Sequence, residues 1–261
     1  MDGLAARQDG QRDRVLLIAL LAVVSLACWA YSVDMALKMA PGAAAGGMQA
    51  HHHHHHQDPG AESGPAWPPF LMWAVMMAGM MVPAEVPFFL RLLRLRQAAV
   101  AARPLVGPAA LLAGYLGVWT LFSFGAALLQ VALQARGLLD ERLASTEPRL
   151  SALLLALAGA AQLLPFKRRC LERCHAPDPS LGAATPGAAA VAGAALGRVS
   201  LLSCGALMLV PFVVGAMDLL PMVLLTTILV AETLAPKRMR LSEVAGALLL
   251  CWAAFALTRM S

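Results

Sequence analysis

Long runs of apolar residues alternate with short basic stretches along this chain, and the pattern predicts membrane-spanning helices. A run of 18 or more apolar residues is long enough to cross a hydrocarbon core about 30 Å thick. Backbone groups in lipid have no water to bond, so helices are the expected form. The short alternating segments of a transmembrane β-barrel are not visible. We therefore predict an all-α fold, a polytopic transmembrane helical bundle of about seven helices.

The apolar runs place seven spans and divide the chain into four parts. The spans are residues 15–37, 67–90, a segment within 105–134, and residues 150–165, 199–217, 219–235 and 241–257. The four parts are a cytoplasmic N-terminus at 1–14, the first transmembrane helix at 15–37, an outer His-rich loop at 38–66, and a six-helix membrane core with Met and Cys motifs at 67–258. The Ala- and Gly-rich residues 182–196 fit either a connector or the start of the fifth helix.

The charges support this class of protein and give it an orientation. Only 13% of the residues are charged, against about 25% in a typical soluble domain. With the N-terminus in the cytoplasm, 15 of the 20 Lys and Arg residues fall in inner segments, as expected for a multi-pass protein of the bacterial inner membrane. Trp67 and Trp73 fit an aromatic belt at one interface. Because the basic residues lie at helix ends, we expect the lipid bilayer as a partner and no nucleic acid.

The second span carries two rows of sulfur side chains, and it also contains a carboxylate. Met72, Met76 and Met80 are four residues apart and share a face; the adjacent row is Trp73, Met77 and Met81. Thioether sulfur is a soft ligand that favours Cu(I), although methionine also fills irregular gaps in cores. Glu85 follows Pro83 in the same span, and an acid at membrane depth usually faces a partner or a cavity. The alternative is that Glu85 lies near the inner interface and pairs with Arg91 or Arg94.

Further candidate metal ligands lie in the later spans and in the first outer loop. Cys170 and Cys174 are four residues apart and His175 follows, a donor set suited to zinc or copper. Cys204, Met208 and Glu232 lie in the fifth and sixth spans, and the predicted topology places Glu85, Gln162, Cys170, Cys204 and Glu232 at one depth on different helices. The run His51–His56 would bind divalent metal if native, and it also looks like an affinity tag.

Three motifs, in order, give the chain a family resemblance. They are Trp73-x-x-Met76-Met77-x-x-Met80-Met81-x-Pro83; Gln162-x-x-Pro165-x-Lys167-x-x-Cys170-Leu171-x-x-Cys174-x-x-Pro177; and Cys204-x-x-x-Met208 followed by Gly215-x-Met217-x-Leu219-x-x-Met222, with Glu232 ending the next helix. The chain resembles a bacterial family of uncharacterised integral membrane proteins for which metal binding is predicted. That family often has two adjacent cysteines where this chain has Ser203-Cys204, so a site that requires both would lack one thiol.

These features favour a membrane protein that binds a soft transition metal ion, with copper first, and that takes part in its handling or transfer. The candidate ligands are Met76, Met77, Met80, Met81, Glu85, Cys170, Cys174, His175, Cys204, Met208 and Glu232. One alternative is a proton-coupled transporter of a small solute that uses the buried acids. Another is a non-enzymatic assembly partner of a second membrane protein. Enzymatic activity is not expected, since the sequence has no nucleophile elbow, phosphate loop or paired-His metalloprotease motif.

Overall fold

The computed structural model describes residues 2–39, 67–98, 105–140, 142–164, 167, 178–182, 184–216, 218–234 and 240–258. In these ranges the protein is helical, and the only β-type pairing is an isolated bridge between Leu139 and Ser145. The predicted helical bundle is confirmed. His51–His56, Cys170, Cys174 and His175 lie outside the described residues.

Seven helices of 16 residues or more form the described part of the bundle. They are α1 Asp2–Met39, α2 Trp67–Ala98, α3 Val106–Gln134, α4 Pro148–Leu163, α5 Pro186–Cys204, α6 Leu219–Leu234 and α7 Leu241–Thr258. Five described helical stretches are long and apolar enough to cross a membrane, namely α1, α2, α3, α7 and the run Pro186–Val214 that begins with α5. Helices α4 and α6 have 16 residues each. Each is therefore about 24 Å long, shorter than a hydrocarbon core about 30 Å thick.

The fifth helix starts earlier than the sequence pattern places it. Thr185 caps α5, because its hydroxyl accepts a hydrogen bond from the backbone N–H of Ala188 at 3.3 Å. Pro186 occupies the first turn, where its fixed φ suits a helix and its missing N–H costs nothing. Residues 186–196 are therefore the start of the helix rather than a connector. After Cys204 the chain continues as a 3₁₀ helix, Gly205–Leu209, and a single α-turn, Pro211–Val214.

Helix α2 is the centre of the bundle, with α1 and α3 packed against it and α6 also in contact. Trp73 on α2 is fully buried, whereas Trp67 is 64% exposed. The prediction that Trp73 belongs to an interfacial belt is therefore wrong. Its indole N–H donates to Gln130 Oε1 of α3 at 2.7 Å, and this bond satisfies the polar atom inside the core.

Helices α3 and α5 cross at very short range because glycines face the partner backbone. A side chain at Gly193 would overlap the Leu111 carbonyl of α3, and one at Gly114 would overlap the Ala190 carbonyl of α5. Helix α4 approaches α7 closely through Gly159, where a side chain would meet the Gly246 carbonyl, whereas Ala160 is exposed.

Candidate metal site

A pocket lined by four methionines lies where three helices meet. Met35 comes from α1, Met72 and Met76 from α2, and Met222 from α6. Tyr31, Ser32 and Ala216 complete the lining. We call this the methionine pocket. The side chains of Met72, Met76 and Met222 are 6%, 2% and 4% exposed, so their thioethers are almost fully withdrawn from the surface.

The fold brings these residues together through helix ends on one side of the bundle. The pocket residues lie near the end of α1 and near the beginnings of α2 and α6. Trp73 fixes this part of α2, since it bonds Gln130 and stacks on Phe212 with the ring centroids 4.8 Å apart. Gly215 has φ +103°, in the left-handed region that favours glycine. The turn at this residue places Ala216 at the pocket, shortly before α6 begins at Leu219.

The remaining predicted methionines are buried but do not line the methionine pocket. Met77, Met80, Met81 and Met208 are 0–1% exposed and belong to the hydrophobic core. Of the predicted ligands that the structure describes, Met76 is thus the one that lines this pocket. Met80 continues the row of Met72 and Met76 one turn further along α2, and Met77 and Met81 form the neighbouring row.

Glu85 takes part in a polar cluster further along α2. It is 6% exposed and makes a side-chain hydrogen bond with Ser200 of α5. The Ser200 hydroxyl also lies 3.3 Å from the Tyr115 hydroxyl and 3.8 Å from Cys204 Sγ. Cys204 donates to the Ser200 carbonyl oxygen at 3.0 Å. A single hydroxyl therefore connects a carboxylate, a phenol and a thiol, and we call these four residues the hydroxyl cluster.

A buried ion pair joins the ends of α4 and α6. Lys167 Nζ lies 2.8 Å from Glu232 Oε2, and each side chain is 3% exposed. The same ammonium donates to Gln162 Oε1. Glu232 is thus neutralised by a lysine, and Gln162 helps to hold that lysine in place.

The structure joins Gln162 to Glu232 through Lys167 and places Glu85 and Cys204 at Ser200, whereas Cys170 lies outside the described residues. No group of three His, Cys, Asp or Glu side chains arranged for a metal ion occurs among the described residues. Glu85 bonds Ser200, whereas Glu232 pairs with Lys167. Four of the residues that line the methionine pocket carry thioethers, and thioethers select soft ions such as Cu(I).

Sequence reasoning missed Met35, Lys167 and Tyr115 as site residues. Met35 follows Tyr31 by one helical turn, so both were readable as one face of the first span. Lys167 stands in the second motif, but the sequence around it indicates only a cytoplasmic positive charge. Tyr115 carries no signal in the sequence, because its role depends on how α3 and α5 cross.

The comparison with protein families identifies the class of protein. The model of the PpoB2 family, described as a copper chaperone, matches residues 70–256, and the chain belongs to this family. The matched range includes Met72, Met76, Met222, the hydroxyl cluster and the ion pair, whereas Met35 precedes it. The match confirms that the chain belongs to a metal-related family. Searches of curated proteins and of solved structures gave no match.

Proposed function

We propose that this protein is a membrane-embedded copper chaperone that binds Cu(I) in the methionine pocket and passes it on. The observation that carries the proposal is the convergence of Met35, Met72, Met76 and Met222 from three helices on one pocket. Membership of a copper chaperone family supports copper as the cargo.

The chemistry of the pocket suits a cuprous ion that has to be released again. Thioethers are neutral and soft, so they favour Cu(I) over hard divalent ions. A neutral donor needs no proton to leave before the metal binds. Since the pocket residues come from α1, α2 and α6, a small movement of one helix would separate the ligands. This arrangement fits transfer better than permanent storage.

The membrane setting is part of the proposal. Five helical stretches in the described part of the chain have the length and hydropathy of membrane spans, and the outward faces of α1 and α7 carry exposed apolar side chains such as Leu26 and Leu248. With the N-terminus in the cytoplasm of a bacterial cell, the methionine pocket lies near the outer surface of the inner membrane. Copper would reach it from outside, and a second membrane protein would receive it. No catalytic step is required.

The test is Cu(I) affinity, measured anaerobically on detergent-purified protein against a competing chelator. We expect Met76→Leu to weaken binding at the pocket at least tenfold, because leucine keeps the volume and removes the sulfur. Met208→Leu is the matched control, since Met208 is equally buried but does not line the pocket. Equal affinities for the two variants would refute the assignment. Recovery of the protein in carbonate-washed membranes tests the membrane setting separately.

A further inference from the structure

The N-terminal half of α1 is fixed to the bundle by core packing and by a hydrogen bond to α2. Leu17 and Leu21 are 2% and 1% exposed and belong to the hydrophobic core. Gln97 of α2 donates from its side-chain amide to the Gly10 carbonyl oxygen at 3.1 Å. This half of the helix therefore has buried side chains and a polar contact that hold it in place.

The other half of α1 is attached less firmly. The structure describes residues 22–38, and none of them is buried. The Ser32 hydroxyl donates to the Cys28 carbonyl oxygen at 3.0 Å, so it bonds within α1 rather than to a neighbouring helix. A serine bond of this kind, to the carbonyl four residues earlier, slightly destabilises a helix and often bends it. We call residues 31–38 the C-terminal arm of α1.

The methionine pocket is divided between this arm and the rest of the bundle. The arm supplies one wall of the pocket and one of its four thioethers, that of Met35. The other three belong to Met72, Met76 and Met222 on α2 and α6, two helices that also contact each other. These three side chains are buried, whereas Met35 is partly exposed. A movement of the arm would therefore remove one ligand and uncover an ion, while the other three ligands keep their places.

The arm begins just after a close contact between α1 and α2. The Trp29 indole N–H donates to the Gly79 carbonyl oxygen at 3.2 Å, and a Cβ added at Gly79 would lie 3.1 Å from Cys28 Cβ. Met35 lies six residues beyond Trp29, a rise of about 9 Å, so a kink of about 20° at Trp29 displaces Met35 by about 3 Å. That displacement is enough to take the Met35 sulfur out of contact with an ion in the pocket.

We propose that the C-terminal arm of α1 is the gate through which Cu(I) leaves the methionine pocket, and that it turns about the contact between Trp29 and Gly79. This inference rests on the proposed function for the ion in the pocket. Opening breaks the copper–sulfur bond to Met35 and leaves copper as Cu(I), bound to three thioethers. The vacated position takes a sulfur ligand of the receiving protein, so copper exchanges ligands without changing its oxidation state.

Amide hydrogen exchange tests the gate on the unmodified pocket, in detergent-purified protein with His51–His56 replaced by alanine. Without copper, we expect the amides of residues 31–38 to exchange at least tenfold faster than those of residues 17–24. One equivalent of Cu(I) should slow the arm at least threefold, because Met35 then holds it to the ion, and should leave residues 17–24 unchanged. An arm whose exchange rate does not respond to Cu(I) would overturn the proposal.

The rate at which Cu(I) passes to an excess of chelator tests the pivot. Trp29→Phe should raise this rate at least threefold, because the arm loses its nearest bond to α2. Ser32→Ala should lower it, since the competing bond within the helix is removed. Gln97→Leu is the matched control and should leave the rate unchanged. It removes a bond between the same two helices at Gly10, which is 25 residues and about 37 Å from Met35. Equal acceleration by Trp29→Phe and Gln97→Leu would refute the pivot.

The gate and the proposed function fail in different ways. Cu(I) affinity is measured for the triple variant Met72→Leu, Met76→Leu and Met222→Leu. Retained affinity would refute the methionine pocket and the gate together. Lost affinity, combined with an arm that does not respond to Cu(I) and with equal release rates in the parent and Trp29→Phe, would overturn the gate and leave the pocket standing.

Discussion

The indole Nε1 of Trp29 on α1 donates a hydrogen bond to the carbonyl oxygen of Gly79 on α2, at 3.2 Å. In a regular helix the N–H four residues later would bond this carbonyl, but Pro83 has no N–H. Trp29 therefore satisfies the acceptor that the proline leaves open. Gly79 also lets α1 come close, since a side chain there would lie 3.1 Å from Cys28 Cβ. Helix α1 thus docks where α2 lacks one backbone hydrogen bond, and it brings Met35 to the methionine pocket.

The first prediction concerns this bond between the two helices. Trp29→Phe should lower the free energy of unfolding by about 1 kcal/mol, because the Gly79 carbonyl loses its partner. In a Pro83→Ala background the same change should cost much less, since the introduced alanine restores the N–H within α2. A double-mutant cycle in detergent micelles measures the difference. Strictly additive effects would show that Trp29 acts only through packing.

The crossing of α3 and α5 gives a second prediction. Gly193→Ala should cost about 2–3 kcal/mol of stability, because the new methyl group would overlap the Leu111 carbonyl. Gly187→Ala on the same helix is the control, since its added methyl group meets nothing within 4 Å. We expect that variant to be neutral or slightly stabilised. Thermal unfolding of the two purified proteins distinguishes them, and similar melting temperatures would contradict the observed crossing.

The buried ion pair gives a third prediction. Lys167→Met should destabilise the protein by about 3–5 kcal/mol, because Glu232 would remain as an uncompensated buried charge. Replacing both residues, with Lys167→Met and Glu232→Leu, should recover most of that loss. Denaturant unfolding of the single and double variants measures the recovery. A double variant no more stable than Lys167→Met would show that the pair is not the source of the effect.

Metal selectivity gives a fourth prediction. Ag(I), which is monovalent and soft like Cu(I), should displace Cu(I) from the methionine pocket, whereas Zn(II) should not compete. The experiment uses the protein with His51–His56 replaced by alanine, because these imidazoles would themselves bind Zn(II) and obscure competition at the pocket. Competition by equimolar Zn(II) in that background would mean that thioethers do not form the site.

The helical bundle could be predicted from the sequence because apolar runs of membrane length are local features. The start of α5 could not be fixed from the sequence, since the small Ala and Gly side chains of residues 186–196 fit a connector as well as a helix, although Thr185 and Pro186 signal a helix start. The row of sulfur side chains on α2 could also be predicted, from the four-residue spacing of Met72 and Met76.

The contacts of Trp73, Lys167 and Met35 could not be predicted from the sequence in the same way. Tryptophan is common at membrane interfaces, so the sequence favours an interfacial position for Trp73. Only its contacts with α3 and with Phe212 show that it is buried. Lys167 looks like one more cytoplasmic charge until α6 brings Glu232 to it. Met35 joins the methionine pocket because α1 docks on α2. All three depend on contacts between distant segments, which spacing along one helix does not encode.

The central claim is that methionine side chains of the pocket bind Cu(I), and selenium labelling tests it most directly. The protein is produced with selenomethionine, loaded with one equivalent of Cu(I), and examined by X-ray absorption at the copper edge. Selenium in the first shell of copper, reduced when Met72, Met76 and Met222 are replaced by leucine but retained in Met208→Leu, is the expected result. A first shell containing no selenium would contradict the account.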